Sequence, residues 1–403
     1  MHTSHTVDLN HLSVTAPTQA LGGVKRTAVA VAGIFGIGTI ICFVINIQQA
    51  MRAYLVGYML FIGFTLGCMG WLMLWHLTSG RWGYAMRRIW EAGTRNIIWA
   101  ALGVIPIIAG YKVLYPWASP EAAHNEHLHS LLAKFLNLPF FAGRAVIYFA
   151  VWFLLIGLLN RWSAIQDRPY DTWLGRKFNI VSSAGMVLYF WTMTFAAIDW
   201  VMSIVPGWPS TIFPLVIIVG QGILGLGLAI IMGRILVQYE PMNTLMDEVV
   251  FWDNGKLLLA FTMLWAYLSF SQWLIIWSGN LPEEIHWYLW RVKGSWAPLT
   301  LFLVIFHFAV PFAILLSQSL KKDPRKISLV AAWMILMRLV DLVWVTAPSW
   351  SPDHIPAGIW MYAVIPVAMV GLWVALFISN YVKRPVIALY DPRLIDIYGE
   401  AHE

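Results

Sequence analysis

Along the chain, polar residues come in short clusters and apolar residues in runs of about twenty, the length a helix needs to cross a bilayer. Ten such runs lie near 27–48, 53–77, 95–114, 143–163, 178–204, 210–236, 256–278, 296–318, 327–348 and 359–382. The pattern predicts an all-α polytopic membrane protein. Residues 1–24 read as an N-terminal tail, 25–382 as a ten-helix transmembrane domain and 383–403 as a C-terminal tail. The polar start and the length of the first run speak for a retained first helix rather than a cleaved signal peptide.

An even number of crossings puts both ends on one side, and the basic residues test that. Nineteen Lys and Arg fall on the side of the N-terminus and six on the other, with Arg338 inside a span. By the positive-inside rule this predicts cytoplasmic termini. The segment Arg81–Glu91 places Trp82, Met86, Ile89 and Trp90 on one helix face, with arginines on the other. It reads as an interfacial helix anchored on the membrane surface. Residues 115–142, with Pro116, Pro120 and Pro139, read as the longest external loop, and Pro106, Pro214, Pro311 and Pro366 fall within spans.

Composition narrows the class. Only 11% of the 403 residues are charged, against about 25% in soluble proteins, and 60% are hydrophobic. Such a chain cannot cover a water-facing surface. The 24 Trp suit aromatic belts at the lipid–water boundaries. Two cysteines, Cys42 and Cys68, both in apolar runs, exclude a disulfide framework, a CxxCH haem attachment and a four-thiolate cage. The net charge of +6 is dispersed over short loops, which argues against nucleic-acid binding.

An ionisable group inside a span costs about 2.5–3.5 kcal/mol on insertion scales, so each one asks for a partner or a wet cavity. Arg338 and Asp341, three apart on the ninth span, read either as a structural clasp or as a proton or substrate pathway in which Asp341 titrates against Arg338. His307, at the centre of the eighth span, reads as a histidine bonded across helices or as a proton relay. Its best partner for bis-His haem ligation, His76, lies at a different depth, which argues against a haem. Asp199 closes the fifth span, as a capping or a proton-conducting group. Tyr267, Ser269, Ser271 and Gln272 on the seventh span and Gln221 on the sixth add polar lining. On this topology the polar groups occupy the middle and outer half, with the inner half of the same helices nearly bare apart from His76 and Ser182 or Ser183. That predicts an outward-facing half-channel without a path across.

His124, Glu126, His127 and His129 in the external loop have metal-ligand side chains but read as a solvated surface, as do His2, His5 and His11 in the tail. No Walker-type loop or H-E-x-x-H is present.

The stretch Asn254–Glu284 (NGKLLLAFTMLWAYLSFSQWLIIWSGNLPEE) closely resembles the seventh-helix signature of the integral-membrane F subunit of alternative complex III, the bacterial quinol:cytochrome c (or cupredoxin) oxidoreductase. Trp75–Tyr84 (WHLTSGRWGY), Phe195–Ser203 (FAAIDWVMS) and Tyr390–Leu394 (YDPRL) look like the same family. The resemblance implies an NrfD/PsrC-like fold of two four-helix bundles and two peripheral helices. It implies a subunit without its own redox centre, a support for the quinol-oxidising subunit with a candidate proton path. Haem and iron–sulfur clusters would sit on the partners: a quinol-binding C subunit, an iron–sulfur B subunit, multihaem and monohaem cytochromes and small membrane subunits. The proton-path candidates are then Asp199, His307, Arg338 and Asp341, with Tyr267 and Gln272 as lining. A secondary transporter, or a quinol-binding membrane anchor, are the competing readings.

Overall fold

The computed structural model describes residues 15–119, 132, 134–168, 174–388, 390–391 and 393–394. Among them every regular element is a helix. Ten helices are long and apolar enough to cross a membrane: Thr18–Ile45, Ile47–Thr78, Arg87–Ala109, Leu138–Ile165, Gly175–Ile204, Phe213–Leu236, Glu248–Gly279, Gly294–Leu315, Pro324–Trp350 and Ala357–Tyr381, here spans 1 to 10. The chain is an all-α, multi-pass membrane protein.

Each apolar run has its helix, and the largest differences lie at N-terminal ends. Spans 1, 3 and 7 begin at Thr18, Arg87 and Glu248, well before the apolar runs at 27, 95 and 256. Helix hydrogen bonds do not depend on hydropathy, so a polar turn continues the helix wherever its end is capped or packed. Asp247, for example, accepts from the Val250 N–H and so caps span 7. Residues 18–24, expected in the tail, are therefore helical.

Spans 2 to 5 pack as one group of four, spans 6 to 9 as another, and the two groups meet along spans 2 and 6. Spans 1 and 10 lie together on the outside. Span 1 has the highest hydropathy, 2.6, and is 11% buried, whereas span 2 at 1.7 is 94% buried. For these two spans that is the order a bilayer favours, since lipid selects apolar side chains while the protein interior can satisfy polar ones; span 6, at 2.5, is nonetheless 83% buried.

At the contact of spans 2 and 6 the backbones touch. A Cβ on Gly67 would lie 2.0 Å from the Gln221 carbonyl oxygen, and one on Gly225 would lie 2.6 Å from the Gly67 carbonyl carbon. Small residues permit such approaches, which gain van der Waals contact where no hydrophobic force acts between helices. Tryptophans lock the seam. Trp71 donates to the Gly222 carbonyl at 2.7 Å and Trp90 to that of Gly225 at 3.1 Å. Not every tryptophan is at the surface: Trp75, Trp90, Trp152, Trp200, Trp296 and Trp373 are among the largest fully buried side chains. Several indoles serve as long-reach donors between helices, a use that suits a medium without water.

Candidate functional site

Span 8 is not a uniform helix. Val304–Ala309 is a π-helical turn that ends just before Pro311. A proline has no N–H for the carbonyl four residues back, here that of His307, and its ring crowds that carbonyl, so the ladder widens. Trp333 of span 9 donates to the carbonyl of the neighbouring Phe306 at 2.8 Å. Local chemistry thus sets His307 on a bulge at mid-span.

The His307 ring stacks on Trp265 of span 7, with centroids 4.0 Å apart. The Trp265 indole N–H donates to Asp341 at 3.3 Å, and Arg338 pairs with the same carboxylate. The guanidinium rests on Gly220 of span 6, where a Cβ would lie 2.1 Å from its central carbon. His307, Arg338 and Asp341 are at most 1% exposed, and neither His307 ring nitrogen has a hydrogen-bond partner. Three of the predicted residues therefore share one buried cluster between spans 6, 7, 8 and 9. The cross-helix hydrogen bond expected for His307 is replaced by a stack.

The other three lie elsewhere. Asp199 is fully buried between spans 4 and 5, accepting from Arg144 at 2.6 and 2.9 Å and from the Tyr148 hydroxyl at 2.6 Å. Arg144 also donates twice to the Phe135 carbonyl, at 3.1 Å, and stacks over the Phe135 ring. A bidentate, fully satisfied pair of this kind is a clamp in the first bundle. Gln272 accepts from Ser210 at 3.2 Å, and Tyr267 is 66% exposed on the outer wall of span 7. The six candidates do not form one continuous file.

A polar network that the sequence reading did not single out joins the start of span 3, the end of span 4 and the C-terminal segment. Arg87 donates to Glu91 and Asp391, both at 2.7 Å, to Gln166 at 2.5 Å and to Ser163 at 3.2 Å. Arg88 donates to Glu91 at 2.9 Å and pairs with Asp167. Arg87, Arg88 and Glu91 are buried, so Arg81–Glu91 is no interfacial helix. Arg87 and Arg88 face the C-terminal tail and the end of span 4, while Arg81 pairs with Asp247 at the start of span 7 at 2.6 Å. The tail is held further by Tyr84, which donates to the Ala388 carbonyl at 3.0 Å, and by Arg393, which pairs with Asp391 and lies over Trp75. Burial pushes the Asp391 carboxyl up, but hydrogen bonds from Arg393 and the charges of Arg87 and Arg393 outweigh it and hold it below the usual carboxylate range.

Beneath this network His76 stacks on Phe178 with centroids 4.2 Å apart, and both its nitrogens lack partners, as does the buried Ser182 hydroxyl. Tyr189 of span 5 donates to Gln221 of span 6 at 2.6 Å, across the two groups. The signal for the network was present in the sequence: Glu91 lies three and four residues after Arg88 and Arg87, the spacing of helical ion pairs.

His124, Glu126, His127, His129, His2, His5 and His11 lie outside the described residues. Among the described residues no three His, Cys, Asp or Glu side chains gather as a metal site. No protein-family model matches the chain, and a search of curated proteins finds no match.

Proposed function

We propose that the chain is a redox-inert, integral-membrane subunit of a respiratory quinol:cytochrome c (or cupredoxin) oxidoreductase of the alternative complex III type. In that assembly it supports the quinol-oxidising C subunit. The iron–sulfur B subunit and the multihaem and monohaem cytochromes carry the electrons. The reading rests on the resemblance of the Asn254–Glu284 stretch, and the two groups of four helices with two outer helices accord with it.

The mid-span cluster is the observation that favours a proton-handling role. Asp341, paired with Arg338 and bonded by Trp265, sits beside a histidine whose nitrogens have no protein partner. A carboxylate and an imidazole inside a span can each take up and release a proton where water reaches them. Asp199, clamped by Arg144 and Tyr148, serves as the structural anchor of the other bundle in this reading.

A C-terminal tag on the chain, mild detergent extraction of native membranes and identification of what co-purifies is the test. Recovery with a multihaem cytochrome and an iron–sulfur subunit is the expected outcome. Recovery as a lone haem-free monomer overturns the subunit reading. Within the recovered assembly, His307→Phe keeps the stack on Trp265 but removes the proton carrier, and it is expected to lower quinol turnover without loss of assembly.

A further inference from the structure

A cavity of about 610 Å³ lies between spans 7 and 8, closed at one end by the short helix Pro282–Val292. Its size falls in the range of small-molecule sites, about 300–1,000 Å³. Half of its fourteen lining side chains are aromatic, among them Trp265, Phe270, Trp273 and Phe308, and none is Lys, Arg, His, Asp or Glu. Tyr267 and Ser269 bring hydroxyls to the wall. Tyr267, Phe270 and Val304 are each more than half exposed on the outer faces of the two spans, so the mouth opens sideways, where lipid would lie. The π-helical turn of span 8 contributes Val304 and Phe308, and such turns recur at functional sites.

We propose that this cavity binds a neutral, flat-ringed molecule dissolved in the membrane, with a carbonyl or hydroxyl on the ring. The absence of charge on the wall excludes a phosphate or carboxylate head, which would enter without a counter-charge. An acyl chain would fill the space but use neither the aromatic faces nor the hydroxyls. A flat ring stacks on the first and accepts from the second. An isoprenoid quinone and a polycyclic terpenoid share this chemistry. The back wall is Trp265, the indole that stacks on His307 and donates to Asp341. An occupant therefore touches the group that holds the buried ion pair. The site stands independently of the assembly proposed above.

Photolabelling of the full chain in native membranes with an azidonaphthoquinone bearing a decyl tail tests it. Label is expected on the peptides spanning 263–273 and 300–308. Excess decylubiquinone or cholesterol should remove it, the effective competitor telling the quinone from the terpenoid, while excess phosphatidylethanolamine should not. Ser269→Trp fills the cavity from a partly exposed wall and should abolish labelling. Tyr267→Phe, which deletes one exposed hydroxyl and leaves the fold alone, should weaken it. Label that phosphatidylethanolamine removes equally, that falls elsewhere, or that survives both substitutions overturns the proposal.

Discussion

A methyl group at Gly220 would lie 2.1 Å from the guanidinium carbon of Arg338. Gly220→Ala is therefore expected to drive Arg338 off its seat and away from Asp341, lowering the thermal midpoint of the detergent-solubilised protein. Asp341→Asn should act more strongly, by about 3–5 kcal/mol, because it leaves a buried guanidinium without its counter-charge. The double variant Arg338→Met, Asp341→Leu removes both charges and should recover most of that loss, measured in the same melting assay. If the single and double variants melt alike, the pair is not what holds this part of the bundle. At this scale the sequence named the right residues on span 9, three apart on one helix face. Their neighbours, Trp265, His307 and Gly220, come from spans 7, 8 and 6, and nothing in local spacing connects them.

Between elements, the closest contact is the crossing of spans 2 and 6. Gly225→Val would place side-chain carbon inside the Gly67 backbone, and is expected to abolish recovery of folded protein, read as a monodisperse peak in size-exclusion chromatography. The C-terminal segment is held by a different force. Because the Asp391 carboxyl is held below its ordinary value of 3.8, the ion pairs contribute fully above that value and weaken as pH falls through and below it. Hydrogen-exchange protection of residues 386–388 should then stay constant from about pH 7 to 5 and drop only below about pH 4. Asp391→Asn should lower it between about pH 5 and 7 and remove the drop at acid pH. Span 8 was partly legible, since Pro311 in an apolar run predicts an interrupted ladder. The polar starts of spans 1, 3 and 7 were not, because hydropathy scores side chains and helix continuity depends on backbone bonds and caps.

For the whole molecule, an even number of crossings predicts both ends on one face. The basic-residue bias, nineteen to six, predicts that face to be cytoplasmic. A fluorescent protein fused after Glu403 should therefore fold and fluoresce, and alkaline phosphatase fused after Ser119 should be active. The reverse pair of results would invert the topology. The crossings themselves are a property of the sequence alone: each apolar run of about twenty residues partitions into lipid on its own account, a local free energy that needs no partner. The pairing of charges is not local. Arg87 and Asp391 are separated by 304 positions, and Arg87 and Ser163 by 76. A segment with arginines on one face and tryptophans on the other fits a membrane surface as well as a buried clasp. Only the tertiary structure decided between them, by bringing carboxylates and amides to the arginines, since burying a charge is affordable only where its partners are already in place.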